Sequence, residues 1–268
     1  MVENDFRRTK IVATIGPASS AREQLLGLME AGTDVFRLNF SHGDHPHLSE
    51  VVKNIRDLSR NRKRAVAILG DLQGPKIRTG RMRDGALALV TGQQVTITTD
   101  KVLGDGDLIP TDYAALPDDV RPGDQILLDD GLLELEVVEI DKPQVHCRVV
   151  VGGLLKDRKG INLPGVPVSA PALTAKDRGG LAFCIDHELD YVALSFVRSA
   201  NEVEDLKNYI YHRGSALRVI AKIEKPQAVA DFEAILDAAD GIMVARGDLG
   251  VEINPEKVPL IQKENFRY

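Results

Sequence analysis

Cysteine is nearly absent from this chain of 268 residues, and the two that occur, Cys147 and Cys184, stand far apart with neither CxxC nor metal-ligand spacing. A disulfide scaffold and a zinc site are thereby set aside. An excess of basic residues is also lacking: 34 Lys and Arg against 40 Asp and Glu leave a net charge of -6. Nucleic acids and anionic membranes select a basic surface, so neither is expected as a partner, and any anion site has to be local. No apolar run approaches the roughly 18 residues a membrane helix needs. The polar start MVENDFRRTK is unlike a signal peptide, which makes the cytoplasm the expected location. Neither GxxxxGK[ST] nor a GxGxxG after a strand is present, so a Walker-type or Rossmann nucleotide site is unsupported.

What is there is a rhythm. From Lys10, short β-branched runs alternate with amphipathic stretches: KIVATIG, a helix over 20–31, VFRLNFS, a helix over 45–60, and AVAILGDL. Apolar runs each followed by a helix read as strands of a parallel sheet buried on both faces. Ser20 with Glu23 resembles a capping box, and Gly32 sits where the first helix would end. After IRTG at 77–80 the pattern becomes all-β, with short runs such as VTITT and VHCRVVV separated by Gly, Asp and Pro turns, down to the proline-rich NLPGVPVSAPALT. Residues 80–168 are therefore expected to form a small inserted β-barrel domain able to act as a lid, and residues 1–79 with 169–268 a discontinuous barrel domain. From Thr174 the alternation resumes: a helix to His187, YVALSF, a helix over 200–211, RVIAKIE, a helix over 227–239, and GIMVARGDLG. The α/β part thus holds six strands where a closed (β/α)8 TIM barrel has eight, so the fold expected is an incomplete one.

Active sites of such barrels lie at the C-terminal ends of the strands, and these ends are polar here. RLNFSHG alternates so that Arg37, Asn39 and Ser41 share a face. AKIEKP aims Lys222 and Glu224 the same way, and ARGDLG supplies Asp248 among glycines. A phosphate clamp beside two carboxylates suits Mg²⁺ or Mn²⁺. His42, His45 and His47 have no carboxylate or Cys partner at ligand spacing, so no metal is expected there.

In order, RRTKIVATIGPAS, RLNFSHG, DLQGPKIRTG, KGINLPG, LSFVRS, VIAKIEKPQAV and GIMVARGDLGVE resemble the successive motifs of the pyruvate kinase family. The resemblance runs from residue 7 to about 263; the tail ENFRY does not share it. It implies conversion of phosphoenolpyruvate and ADP to pyruvate and ATP in glycolysis, and a homotetramer for the full-length form. Glu224 and Asp248 match the carboxylates holding the divalent metal. Lys222 and Arg37 match the cations on the migrating phosphoryl group. Gly247 and Asp248 match the backbone groups receiving the substrate carboxylate, with Ser195 close by. Arg78, counted with Lys222 and Arg37 in catalysis, matches the nucleotide side together with Asn39, His42 and, from the lid, Lys159.

Two departures stand out. Lys76 and Leu72 occupy positions where many members place a glutamate and a threonine, and those members resemble enzymes requiring K⁺ beside Asn39, Ser41 and Asp71. The Lys76 ammonium is expected to replace that cation, although Thr79 resembles the K⁺-dependent pattern. The threonine-bearing strand of the family's seventh barrel unit is not in this sequence, so weak or no activity is expected of the chain alone. Two other readings stay open: a non-catalytic fragment or pseudoenzyme, and a phosphoenolpyruvate/pyruvate-barrel lyase or aldolase, since barrels host many chemistries.

Overall fold

A computed structural model describes residues 7–41 and 44–265. Its contacts divide into two compact units, one of Met1–Gly74, Ala172–Lys222 and Glu233–Met243, the other of Pro75–Pro171, Ile223–Phe232 and Val244–Tyr268.

The first unit opens with β1 (Val12–Ile15), α1 (Arg22–Glu30), β2 (Val35–Asn39), α2 (His45–Arg62) and β3 (Ala67–Asp71). The capping box expected at Ser20 does not form. The Ser20 hydroxyl turns back to the Pro17 carbonyl at 3.4 Å, and the helix starts one residue later with Ala21 as its cap. At the other end the expectation about Gly32 holds: with φ at +107° it lets Gly32 N–H reach the Met29 carbonyl and Thr33 N–H the Leu28 carbonyl, the Schellman pattern.

The all-β stretch lies in the second unit. It comprises β4 (Ala86–Leu89), β5 (Gln94–Thr98), β6 (Leu108–Pro110), the short α3 (Leu116–Asp119), β7 (Gln125–Leu128), β8 (Leu133–Asp141), β9 (Gln144–Val151), β10 (Gly153–Lys156) and β11 (Ile161–Asn162). Six of these strands form one sheet in the order β11-β7-β8-β9-β5-β6, and β10 pairs with β4. Alternation explains the core: Ile126 and Leu128, Leu133, Leu135 and Val137, and Val145, Cys147 and Val149 point one way and are buried together. Asp129 and Asp130, both at positive φ, and Gly131 make the turn between β7 and β8.

The remaining elements are α4 (Ala175–Asp186), β12 (Tyr191–Leu194), α5 (Ala200–His212), β13 (Arg218–Ile223), α6 (Pro226–Ala230), α7 (Phe232–Ala238), β14 (Gly241–Val244), α8 (Arg246–Glu252), a 3-10 turn (Pro255–Lys257) and α9 (Val258–Asn265). Two expectations are corrected here. The single helix over 227–239 is two helices broken at Asp231. The run GIMVARGDLG is strand only to Val244, its second half forming α8.

The strands of the α/β part form one six-stranded sheet in the order β1-β2-β3-β12-β13-β14, parallel through every pairing from β1 to β13. β3 and β12 are buried almost throughout, as central strands covered on both faces must be. β2 instead alternates: Phe36 and Leu38 are buried completely, while Arg37 and Asn39 stay partly open on the other face. The result is an incomplete α/β barrel carrying six of the eight strands of the closed form. Among the described residues no helix is long and apolar enough to cross a membrane.

Candidate active site

Parallel register aligns the strands of the sheet. Asn39 and Ala193 both pair with Asp71, and Leu194 with Ala221, so β2, β3 and β12 end within one residue of one another and β13 runs two residues beyond its last pair with β12. Near those ends four charged or polar side chains meet in the first unit. Asp71, last in β3, accepts Arg37 Nε at 2.7 Å and Nη2 at 2.5 Å on Oδ2, and its Oδ1 lies 3.3 Å from Lys222 Nζ. Lys222 also donates to Ser195 Oγ at 2.8 Å, while the Ser195 hydroxyl donates to the Leu72 carbonyl at 2.6 Å. Arg37 Nη1 reaches Thr14 Oγ1 on β1 at 2.8 Å. Asp71 and Ser195 are each 1% exposed and Lys222 8%, so water screens this cluster poorly.

Two cations share the one Asp71 carboxylate. A buried charge persists where it is paired and hydrogen-bonded, and Asp71 supplies that for both cations at once. Arg37 keeps 24% of its side chain exposed, so the guanidinium is both braced and accessible. Such a pair is suited to phosphate or carboxylate oxygens, which it meets without reorganising.

Of the other expected site residues in this unit, Asn39 turns its Oδ1 to Ser41 N–H at 2.9 Å, and the Ser41 carbonyl accepts Lys176 Nζ at 3.0 Å. His42 lies outside the described residues. His45 packs edge-on to Phe40, with ring centres 5.9 Å apart, and beside Phe183.

The second unit holds the remaining candidates. Glu224 follows β13 and is completely buried. Ala245 N–H donates to the Ile223 carbonyl at 3.2 Å, tying the end of β14 to the strand that leads into Glu224. Gly247 and Asp248 lie in the first turn of α8, and a Cβ at Gly247 would meet nothing within 4 Å. Arg78 donates to the Arg158 carbonyl at 3.2 Å and pairs across a β-bridge with Gly160; Lys159 Nζ sits 2.9 Å from Asp129 Oδ1. Lys76 runs against the same glycine, its Cε 3.7 Å from where a Cβ on Gly160 would be. Arg78, Lys159 and Lys76 are thus gathered around Gly160.

Sequence reasoning missed several residues that shape these sites. Asp177 Oδ2 accepts Thr174 N–H and Oγ–H to cap α4, and its Oδ1 accepts Gly74 N–H at 3.2 Å, holding the loop after β3. T-x-x-D before a helix was the signal that could have found it. Gly74, at φ +69°, passes so close to Ser195 and Phe196 that a Cβ would approach Phe196 Cδ2 to 2.8 Å. Phe196 itself takes φ +57°, a strained conformation for a bulky residue directly after Ser195.

These features define a parallel α/β-barrel protein that pairs Arg37 and Lys222 with Asp71 in its first unit and carries Glu224, just after β13, and Asp248, in α8, in its second. The profile described as "Pyruvate kinase, barrel domain" matches residues 6–267. A pyruvate kinase of Geobacillus stearothermophilus is 49% identical over 260 residues, covering 96% of this chain and 44% of the relative. One from Corynebacterium efficiens is 49% identical over 257 residues, covering 96% of this chain and 54% of its own. A crystal structure of a pyruvate kinase from Cryptosporidium parvum superposes with a TM-score of 0.91 at 40% identity, covering 97% of this chain and 55% of the other. The chain belongs to the pyruvate kinase family. It spans about half the length of the relatives it matches.

Proposed function

We propose that this chain carries the phosphoryl-handling part of a cytoplasmic, glycolytic pyruvate kinase, which moves the phosphoryl group of phosphoenolpyruvate to ADP and yields pyruvate and ATP. The observation that carries this reading is the buried Asp71 holding Arg37 and Lys222 near the C-terminal ends of their strands. Phosphoryl transfer depends chiefly on positioning and on charge placed where charge develops. Arg37 and Lys222 bind the phosphoryl oxygens, Asp71 and Ser195 hold those cations in place, and Gly247 with Asp248 receives the substrate carboxylate. Arg78, Asn39, His42 and Lys159 serve the nucleotide. Residues 80–168 are the lid that excludes water, and residues 1–79 with 169–268 the barrel domain.

Glu224 and Asp248 are hard oxygen donors, two in number, the set that Mg²⁺ or Mn²⁺ takes when water and substrate fill its other positions. Bound there, the ion would supply Lewis-acid stabilisation of the enolate and phosphoryl oxygens. For the monovalent site of Asn39, Ser41 and Asp71, both Asp71 oxygens already face protein cations. This supports K⁺ independence, with Lys76 as the added positive charge.

Calorimetric titration of the chain with phosphoenolpyruvate in the presence of Mn²⁺ tests the assignment. Lys222→Met and Arg37→Ala are each expected to weaken binding at least about tenfold. Wild-type affinity in both variants would refute it. Affinity is expected to be equal in sodium and potassium buffers, and a marked gain in potassium would refute the Lys76 role.

A further inference from the structure

Three side chains that the proposed chemistry leaves unused meet inside the second unit. Glu252, the last residue of α8, has only 1% of its side chain exposed. Its Oε1 accepts Lys225 Nζ at 2.6 Å and Asn162 Nδ2 at 2.8 Å, while its Oε2 is buried with no hydrogen-bond partner among the described residues. Each partner belongs to a different segment. Lys225 directly follows Glu224; Glu252 stands about one helical turn after Asp248; Asn162 ends β11, which pairs with β7 of the all-β stretch. One carboxylate oxygen therefore joins the segment of Glu224, the helix of Asp248 and the strand leading out of the all-β stretch.

A buried ion pair is poor evidence for stability, because the desolvation of both charges offsets most of their attraction. What it does here is restrict geometry, since parting Glu252 from Lys225 takes the counter-charge from a carboxylate that is 1% exposed, and parting it from Asn162 removes a hydrogen bond from the same oxygen. Here two donors share a single oxygen while the other stays bare, so movement of α8 cannot spare one contact by keeping the other. We infer that Glu252 is a positioning residue that makes divalent-cation binding by Glu224 and Asp248 and the conformation of β11 a single equilibrium. The inference rests on the carboxylate assignment above. A cation that fixes the separation of Glu224 and Asp248 also fixes that of Lys225 and Glu252, and Asn162 passes the constraint to β11. By reciprocity, whatever moves β11 alters cation affinity by the same factor.

The test uses Mn²⁺ alone as probe, with free Mn²⁺ followed by electron paramagnetic resonance and amide hydrogen exchange followed over residues 161–163 and 246–252. In the wild-type chain Mn²⁺ is expected to slow exchange in both segments. Asn162→Ala is expected to weaken Mn²⁺ about tenfold, as coupling of this kind typically does, to confine the exchange response to 246–252, and to speed exchange there without metal. Glu252→Gln, which keeps the shape and removes the charge, is the second variant should Asn162→Ala misfold, and is expected to weaken Mn²⁺ likewise. Arg148→Ala, which breaks a surface pair with Glu136 in the same all-β stretch, is expected to leave both readouts unchanged. Normal Mn²⁺ binding with an unaltered exchange response in Asn162→Ala and Glu252→Gln overturns the coupling alone. Failure of the wild-type chain to bind Mn²⁺ overturns the carboxylate assignment and the coupling with it.

Discussion

Asp71 is the residue on which the first unit's site turns, and its importance was only half visible beforehand. Alternation in RLNFSHG and AKIEKP was enough to mark Arg37, Lys222 and Glu224, because a period of two assigns faces without knowledge of neighbours. That Asp71 would hold both cations depends on register between strands far apart in sequence, which no local pattern carries. Truncating it removes the carboxylate that both Arg37 and the buried Lys222 contact, so Asp71→Ala is expected to lose at least about 1–3 kcal/mol in urea unfolding. Gly74→Ala is expected to lose about 1–3 kcal/mol, since its φ of +69° disfavours any Cβ and Phe196 stands in the way. The two thiols act with pH rather than geometry. Burial pushes Cys147 and Cys184 up to about 12, whereas in the unfolded chain they ionise near the ordinary thiol value. The folded state then binds more protons than the unfolded one at alkaline pH, and stability present below the unfolded value is lost as pH rises toward 12. Urea midpoints are expected to fall between about pH 9 and pH 11, each thiol removing about 1.4 kcal/mol per pH unit, and Cys147→Ala and Cys184→Ala should each flatten the fall.

At the scale of elements, caps were where the reading went astray. Ser20 and Glu23 have the spacing of a capping box, yet Ala21 starts α1; Thr174 and Asp177 have it and use it. The difference is tertiary. Asp177 is held in place by Gly74 N–H from the loop after β3, whereas the Ser20 hydroxyl finds the Pro17 carbonyl. Asp177→Ala is therefore expected to cost more than the usual ~1 kcal/mol of a lost cap, because Gly74 N–H loses its acceptor as well, and Ser20→Ala only a few tenths. Thermal unfolding of both variants checks the contrast. Short strands escaped notice for a simpler reason: β6, β10 and β11 are two to four residues long, too few for alternation to register.

For the molecule as a whole, the parallel sheet was readable because repeated apolar runs and amphipathic helices leave few topologies open. Which strands lie at its margins follows from the observed order, β1 at one side and β14 at the other. Ile11 and Val12, at the β1 margin, are 43% and 50% exposed. A margin that exposes apolar residues invites pairing with further strands, so sedimentation velocity is expected to show concentration-dependent self-association, which Val12→Lys should reduce.

The register that aligns β2, β3, β12 and β13 has a wider implication. Arg37, Asp71, Ser195 and Lys222 become neighbours only after non-local pairings of the kind that form slowly, so a partly folded chain has nothing with which to grip an anion. On the proposed function, a phosphorylated carboxylate bound there would act as a witness that the strands have aligned, and by mass action would tilt the equilibrium toward chains that have completed the alignment.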